Sequence, residues 1–412
     1  MSATLVNRPD TADQLLEEVR YAVAKKIPVS IVGAGSKWNM GRPMETTSVI
    51  ELSALSGVML YEPEELVISA AAGTPIAEIE KLVAAHGQQL AFEPPDFGPV
   101  FGEKKARGTV GGAIACNLSG PRRIKAGAAR DHLLGFHAIS GRGEQFKSGG
   151  RVVKNVTGYD LSKLISGSWG TIGVMTEITL KVLPVAESTS TFVVVGLDDT
   201  AAIKLLTKIL QSSNDVSGAV HLPNVVAARS DVFSITESVT AVRVEGPVPS
   251  VTYRIADLTR IAEEHCRTAG GQIIEPLDGS ASLLFWAEVR DASYFTTSEN
   301  PLWRLSVPPT VGPQVANSIA DALVNIEYFF DWGGGQIWLS VESTPDAGES
   351  TVRSAIMKVG GHANLVRASK ETRLRVSVFQ PLDPVLYQLN RRIKDSFDPL
   401  GVLNPGRMYE GI

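Results

Sequence analysis

The chain has 412 residues, of which 44% are hydrophobic, and a formal net charge of −5. This composition is rich enough for a sizeable core and excludes a disordered chain, and the length predicts two or three domains at about 150 residues each. A net negative charge, without a basic stripe interleaved with aromatic residues, indicates no nucleic-acid partner. The two cysteines, Cys116 and Cys266, exclude a disulfide framework and are typical of a reducing compartment.

The chain start has no basic segment followed by an apolar one, so we expect no signal peptide. The longest apolar runs are strand-length, well short of the roughly 20 residues that a membrane helix needs. We therefore predict a cytoplasmic protein without direct membrane insertion. Any peripheral attachment to the inner membrane would go through a partner.

The first predicted elements are an amphipathic helix over 10–26 and a buried strand over 27–32. A tight glycine turn follows, made of Gly33, Ala34, Gly35, Ser36 and Lys37. Backbone N–H groups in a loop of this kind can cup a pyrophosphate. The loop lacks the third glycine of the Rossmann fingerprint, and an ordinary β-turn is the alternative if the loop is considered alone.

Two strands are predicted next, over 48–52 and 66–71, and then a helix that Thr74-Pro75 caps and Gly87 ends. His86 lies in the last turn of this helix, where a cation suits the helix dipole, so we interpret it as structural. The segment Glu93–Gly98 that follows contains no histidine.

A second glycine pair, Gly111-Gly112, opens an apolar helical run through Leu118. Free N–H groups at such a helix start would suit a phosphate. The basic cluster after it is either a solvated loop or a lip that attracts an anionic substrate or partner. Its members are Arg122, Arg123, Lys125 and Arg130.

The stretch up to Pro184 is again punctuated by glycines. It predicts a strand over 132–140, a hairpin turn over 141–144, a short helix over 161–165 capped by Asp160, and a strand over 172–182. On one strand His132 and His137 would point to opposite faces, so they could not share a metal.

Several of these segments resemble a known family. The runs TVGGAIACNLSG, VVKNVTGYDLSKL and GSWGTIGVMTEITLKVLP resemble the PCMH-type FAD-binding domain of the vanillyl-alcohol oxidase superfamily. The NVTGYDL run and the ending DPLGVLNPGRMY are similar to the glycolate oxidase group, and in particular to its FAD-binding accessory subunits. The resemblance covers residues 28–184 and 397–409.

The resemblance implies an α+β fold with a two-lobed, PCMH-type FAD-binding domain over 1–186. From residue 187 to 380 the pattern of strands and helices predicts an α+β cap domain with an antiparallel sheet and helices on one side. Residues 381–412 are predicted to form a last helix and a tail that returns to the FAD domain. Strands are predicted at 191–195, 216–220, 231–235, 239–245, 303–308, 336–342 and 372–379, and helices at 199–212, 251–269, 314–326 and 349–359.

The family also implies which residues bind the cofactor, FAD. These are Gly33, Ala34, Gly35, Ser36, Lys37, Pro95, Thr109, Gly111, Gly112, Cys116, Asn117, Ser119, Gly120, Gly158, Asp160, Gly170, Gly173, Val174 and Asn404. Because the segment after His86 lacks a histidine, we expect non-covalent FAD. Cys116 could in principle bond the isoalloxazine, but a small buried core residue is the favoured interpretation.

Flavin-linked oxidation of a 2-hydroxy acid needs a base, a cation for the carboxylate and the flavin itself. Catalytic relatives often use a pair of histidines that can hold a metal. Here His362 is the last histidine, and a lone histidine is a poor metal site, so we predict no metal and a structural His362. Arg304 is the candidate catalytic residue, through a bidentate contact with a carboxylate, and Trp332 and Trp338 would line the pocket. A sheet ion pair and core tryptophans are the alternatives.

Two functions follow. In the first, the chain is the FAD-binding subunit of a complex that oxidises glycolate, with a sister FAD-linked catalytic subunit and an iron–sulfur subunit as partners. Two cysteines cannot hold an iron–sulfur cluster, which favours this hypothesis. In the second, it is a stand-alone FAD-dependent dehydrogenase of the D-lactate type. A third and weaker hypothesis is a structural subunit without enzymatic activity.

Overall fold

The structure is a computed structural model that describes residues 5–106, 108–151 and 158–412. The chain divides into two compact units. The first unit comprises Met1–Ser119, Gly127–Val185 and Pro381–Ile412, and the second comprises Gly120–Ala126 and Ala186–Gln380. The junctions near residues 186 and 380 lie beside the predicted domain limits, whereas no sequence pattern indicated that the short segment Gly120–Ala126 groups with the second unit.

The described strands, in chain order, are β1 (Leu5–Asn7), β2 (Val29–Val32), β3 (Ser48–Glu51), β4 (Val58–Glu62), β5 (Val67–Ala71), β6 (Gln88–Gln89), β7 (Leu133–Ile139), β8 (Gln145–Gly149), β9 (Val174–Lys181), β10 (Leu183–Pro184), β11 (Ser188–Val195), β12 (Gly218–Leu222), β13 (Val239–Gly246), β14 (Gln272–Asp278), β15 (Leu302–Ser306), β16 (Glu327–Asp331), β17 (Gln336–Ser340) and β18 (His362–Arg367).

The described α-helices are α1 (Ala12–Lys25), α2 (Ile76–Ala84), α3 (Val110–Cys116), α4 (Arg123–Ala126), α5 (Ala129–His132), α6 (Leu161–Ile165), α7 (Asp199–Leu210), α8 (Asn224–Ala227), α9 (Val248–Ala269), α10 (Gly279–Asp291), α11 (Gly312–Ala320), α12 (Glu349–Met357), α13 (Lys370–Arg375) and α14 (Pro384–Phe397).

Two main sheets build the first unit. A parallel three-stranded sheet has the order β1-β3-β2, and an antiparallel five-stranded sheet has the order β4-β5-β9-β7-β8. The buried hydrophobic side chains of this unit form two clusters, one on the five-stranded sheet and one that joins the three-stranded sheet to Ala71, Ile139 and Val174 of the five-stranded sheet. The second cluster includes Leu15 and Val19, from the predicted apolar face of α1, and the first includes Ile79 and Val83 of α2. The apolar faces of α1 and α2 therefore pack into different clusters.

The C-terminal tail completes the smaller sheet. Leu403 pairs in parallel with Val29 of β2, and the backbone N–H of Asn404 donates to the Val29 carbonyl at 3.0 Å. Residues that are more than 370 positions apart in the sequence therefore lie side by side at the strand that leads into the glycine turn.

The second unit is built on one eight-stranded antiparallel sheet with the order β14-β11-β13-β12-β16-β17-β15-β18. The antiparallel sheet was predicted, but its strands β14, β16 and β18 were not, and neither were the helices α8, α10 and α13 of this unit. The segment Gly120–Ala126 is held to this unit by Arg122, whose guanidinium donates to both carboxylate oxygens of Glu245 at 2.9 and 3.1 Å.

Four local predictions were wrong. Residues 231–235 form no strand, since the Ser230 hydroxyl accepts from the backbone N–H of Val232 and turns the chain. Over 372–379 the chain first completes α13, because the Ser369 side chain caps that helix. The N-cap of α2 is Pro75, and the hydroxyl of Thr74 instead donates to the Ala71 carbonyl. His132 ends α5, so the opposite-face argument for the histidine pair does not apply.

Candidate FAD site

A single cleft in the first unit collects most of the predicted cofactor residues. Its walls come from the end of β2 and the glycine turn, from α3, from the loop and strand around β9, and from the C-terminal tail. The lining residues are Ile31, Val32, Gly33, Ala34, Gly35, Ser36, Lys37, Trp38, Leu52, Ala72, Thr109, Gly111, Gly112, Ala115, Cys116, Trp169, Gly170, Gly173, Val174, Met175, Asn404 and Arg407.

The glycine turn has the geometry that its sequence predicts. Gly35 has a φ of +81°, which L side chains rarely adopt, and the backbone N–H of Trp38 donates to its carbonyl at 2.9 Å. Within the described residues, the backbone N–H groups of Gly35, Ser36 and Lys37 donate no hydrogen bond to the protein. These three donors stand at the cleft and are available to an anion.

The glycine pair at the start of α3 lines the cleft, but its N–H groups are not free. The N–H of Gly111 donates to the Ala72 carbonyl at 2.8 Å, and the N–H of Gly112 donates to the Thr109 hydroxyl at 3.2 Å. Both amides are therefore engaged, and the expectation of free N–H groups here was wrong. A Cβ atom at Gly111 would lie 2.7 Å from the Ala72 oxygen, so this glycine lets α3 approach the end of β5.

Lys37 brings a cation to the same cleft. Its ammonium group donates to the Ser36 hydroxyl at 3.3 Å and lies close to the start of α3. Burial lowers the pKa of Lys37, while the nearby Cys116 and Asp96 partly counteract that effect. The charged form of a partly desolvated ammonium group is stabilised when an anion binds next to it, because the anion compensates the positive charge.

The tail supplies Asn404, whose side chain connects two walls of the cleft. Its Oδ1 accepts from the backbone N–H of Ile31 at 2.7 Å, and its Nδ2 donates to the Trp169 carbonyl at 2.7 Å. With a φ of +43°, Asn404 occupies the left-handed region that asparagine tolerates. The predicted cofactor residues Gly170, Gly173 and Val174 lie on the wall that Asn404 holds.

Arg407 is a lining residue that the sequence did not single out. Its guanidinium donates to the carbonyls of Lys37 at 3.0 Å and of Trp38 at 3.2 Å, and it lies over the indole of Trp169. Arg407 thereby fixes the outer side of the glycine turn. Its position in the NPGR run of the tail was the only sequence signal that could have indicated it.

Cys116 is placed differently from the favoured expectation. It is partly exposed and lines the cleft, and therefore the interpretation as a buried core residue was wrong. It ends α3, one residue before Asn117, which adopts the left-handed conformation that stops the helix. The thiol is one of the two groups that raise the pKa of Lys37 against the effect of burial.

Six predicted cofactor residues do not line the cleft. Asn117 accepts from the backbone N–H of Arg130, the Ser119 hydroxyl accepts from that of Ala129, and the Gly120 carbonyl accepts from the Trp332 indole. The others are Pro95, Gly158 and Asp160, of which Asp160 caps α6 as predicted. Residues 155–157 of the NVTGYDL run lie outside the described residues. Cofactor contacts of all these residues stay predictions.

In the second unit Arg304 lies on β15, opposite Trp338 of β17 and Asn364 of β18. The neighbouring row on the same face contains Gln336, Ser306 and His362. Gln336 is buried and its Oε1 has no hydrogen-bond partner among the described residues. This row is therefore incompletely satisfied within the chain.

Positive charge concentrates at the His362 end of this row. Partial burial of the ring, and then the charges of Arg304, Arg123 and Arg353, lower the pKa of His362. Arg123 lies 4.3 Å from the centre of the Trp332 ring, while Trp338 is buried in the core. Among the described residues, no group of three or more His, Cys, Asp or Glu side chains could hold a metal ion.

The family models identify an FAD binding domain over residues 3–149. The glycolate oxidase subunit GlcE of Escherichia coli (strain K12) is 34% identical over 97% of this chain and 98% of its own length. An uncharacterised FAD-linked oxidoreductase of Mycobacterium tuberculosis is 25% identical over 98% of this chain and 90% of its own. A D-lactate dehydrogenase of Anaerostipes hadrus is 31% identical over 45% of this chain and 37% of its own length.

Solved structures share the fold at low sequence identity. p-Cresol methylhydroxylase with substrate bound has a TM-score of 0.73 and 14% identity, over 98% of this chain and 88% of its own. An alkyldihydroxyacetonephosphate synthase has a TM-score of 0.70 and 17% identity, over 97% of this chain and 75% of its own. No described helix combines the length and the hydropathy required of a membrane span.

The chain is an FAD-linked oxidoreductase with a PCMH-type FAD-binding domain, as the FAD binding domain and the relatives along nearly its whole length show. More narrowly, the chain belongs to the family of GlcE-type glycolate oxidase subunits, because the Escherichia coli relative matches it at 34% identity along nearly its whole length.

Proposed function

We propose that the chain is the FAD-binding subunit of a complex that oxidises glycolate to glyoxylate. The observation that carries the proposal is the cleft of the first unit, where three unengaged backbone N–H groups and the Lys37 ammonium meet. This donor set fits a diphosphate, since it offers hydrogen bonds and one compensating charge at the end of a strand. When bound, FAD supplies the redox chemistry.

The residues of the chain hold and orient the cofactor. Gly35, Ser36 and Lys37 would bind the diphosphate, while Asn404 and Arg407 keep the turn and the Trp169 wall in place. We propose non-covalent binding, as the described residues that line the cleft include no histidine. Arg304 would pair with the carboxylate of a small 2-hydroxy acid, for which the arginine-rich environment of His362 provides further positive charge.

We propose a sister FAD-linked catalytic subunit and an iron–sulfur subunit as partners. The naming of a full-length relative as a glycolate oxidase subunit supports the subunit role. The sequence supports it too, because no histidine follows His362 and the chain has only two cysteines. A stand-alone dehydrogenase of the D-lactate type has weaker support, since the D-lactate dehydrogenase of Anaerostipes hadrus matches less than half of the chain.

Visible absorption of the purified chain tests FAD binding, and anaerobic addition of glycolate or D-lactate tests the reaction. The proposal expects a yellow protein whose flavin is bleached by glycolate only with the partner subunits present. Bleaching of the isolated chain by D-lactate would favour the stand-alone enzyme. A folded, colourless protein that does not take up added FAD would contradict both functions.

The variant Gly35→Asp tests the assignment of the diphosphate site. It should abolish flavin retention, because the new carboxylate would repel the phosphates. The matched control is Gly102→Asp. Gly102 also has a positive φ, of +72°, but it lies outside the cleft and a side chain there would meet open space. A folded Gly35→Asp protein with wild-type flavin content would overturn the assignment.

A further inference from the structure

A buried ion pair lies behind the cleft, between Lys394 near the end of α14 and Asp398 just after it. The ammonium and carboxylate groups are 2.7 Å apart, and their side chains are 4% and 0% exposed. Neither residue lines the cleft. Burying two charges costs free energy that their attraction often does not exceed. Stability alone is therefore a weak explanation for the presence of this pair.

The Lys394 ammonium group donates one hydrogen bond to each of three different segments. Besides Asp398, its ammonium donates to the Thr171 carbonyl at 2.7 Å and to the Leu403 carbonyl at 2.8 Å. Thr171 belongs to the loop that contributes Trp169 and Gly170 to the cleft. The lysine therefore ties that loop to the tail.

Asp398 holds the tail itself. One carboxylate oxygen accepts from the backbone N–H of Val402 at 3.0 Å, and the other accepts from that of Leu403 at 2.8 Å. These two residues pair with β2, the strand that ends in the glycine turn. The next residue is Asn404, which bridges Ile31 and Trp169 at the cleft.

We propose that Lys394 and Asp398 are positioning residues of the FAD site. Through Val402 and Leu403 the pair sets the position of Asn404, and through Thr171 it sets the Trp169 wall. The inference rests on the proposed FAD site. It states that this ion pair is required for cofactor affinity and for the environment of the flavin, in addition to holding the tail.

The test compares two variants with a matched pair on the same helix. Lys394→Met and Asp398→Asn remove one charge each, whereas Arg391→Met and Asp395→Asn break an exposed pair of the same i,i+4 spacing. FAD is titrated into each full-length apoprotein at a temperature where circular dichroism shows the native fold. The flavin absorption spectrum is recorded at saturation.

The expected result is an FAD dissociation constant raised by about tenfold or more in the two buried-pair variants, since small displacements of positioning groups have effects of this size. Their flavin spectra should also shift, whereas both control variants should stay within about twofold of wild type. Lys394→Arg, which retains the charge, should recover part of the affinity.

Wild-type affinity and spectrum in folded Lys394→Met and Asp398→Asn would overturn the inference, because the pair would then only hold the tail. Failure of both variants to fold would also overturn it, since the pair would be a folding determinant. If the wild-type chain itself binds no FAD, the proposed site fails instead, which distinguishes the two claims.

Discussion

The hydroxyl of Thr109 occupies the space that a side chain at Gly33 would need. A Cβ atom built on Gly33 would collide with Thr109 Oγ1 and lie 3.2 Å from its Cγ2. If Thr109 moved away, α3 would lose its N-cap, because the Thr109 hydroxyl accepts from the Gly112 N–H. The glycine at the end of β2 and the cap of a helix almost 80 residues later are thus fitted to each other.

The first prediction concerns this fit. Gly33→Ala should weaken FAD binding by about tenfold or more, because the collision displaces either the glycine turn or the start of α3. The measurement is FAD titration into the apoprotein. Gly150→Ala is the control, since a Cβ atom there meets no other atom within 4 Å. Equal affinities for the two variants would contradict the steric argument.

The second prediction concerns the pH dependence of FAD binding. Burial lowers the pKa of Lys37 in the apoprotein from its ordinary value of 10.5, and a bound diphosphate would raise it again. Because binding favours the protonated form, affinity should be highest at low pH and should fall as the pH rises through the lowered pKa.

Titrations of FAD between neutral and alkaline pH, analysed for proton uptake, measure this effect. Lys37→Met should remove the pH dependence in that range and bind FAD more weakly, while Lys25→Met on the surface of α1 should behave like wild type. An unchanged pH profile in Lys37→Met would show that another group responds to the phosphates.

The third prediction concerns acid stability of the second unit. Burial alone would raise the pKa of Glu245, but the charges of Arg243 and Arg122 outweigh it and lower that pKa from 4.5 to about 2. A carboxyl group whose pKa is lower in the folded than in the unfolded protein stabilises the fold at pH values above its pKa in the unfolded protein. This stabilisation should be lost as the pH falls from about 4.5 towards 2.

Glu245→Gln should therefore lower the free energy of unfolding at neutral pH, by on the order of 3 kcal/mol. It should also flatten the acid limb of the stability profile, as measured by urea unfolding at several pH values. Glu264→Gln is the control, because the Glu264 pair with Lys208 is exposed and screened by solvent. A parallel acid limb in Glu245→Gln and wild type would contradict the assignment.

The fourth prediction concerns Arg304. Arg304→Ala should leave FAD bound and the flavin spectrum unchanged, but should weaken binding of glycolate or of a competitive carboxylate by about tenfold or more. Ligand-induced changes in flavin absorption measure the affinity. Arg290→Ala is the comparison, because Arg290 of α10 pairs with the adjacent Asp291. Unchanged ligand affinity in Arg304→Ala would remove the proposed carboxylate role.

Local patterns determined much of this protein. The period-3.6 pattern of α1, the strand and glycine turn up to Lys37, and the cap of α6 by Asp160 are all short-range features that the sequence encodes within a few residues. The same is true of the motifs that place the chain among FAD-linked oxidoreductases. Such features depend on backbone propensity and local hydrogen bonds, so they survive without knowledge of the whole fold.

Only the tertiary structure decided how distant segments combine. It showed that the amides of Gly111 and Gly112 are engaged within the protein, that Arg407 braces the glycine turn, and that the pairing of Leu403 with Val29 brings Asn404 to Ile31. These contacts join residues separated by tens to hundreds of positions. The packing of the whole unit determines which of these residues meet, and a short sequence pattern does not contain that information.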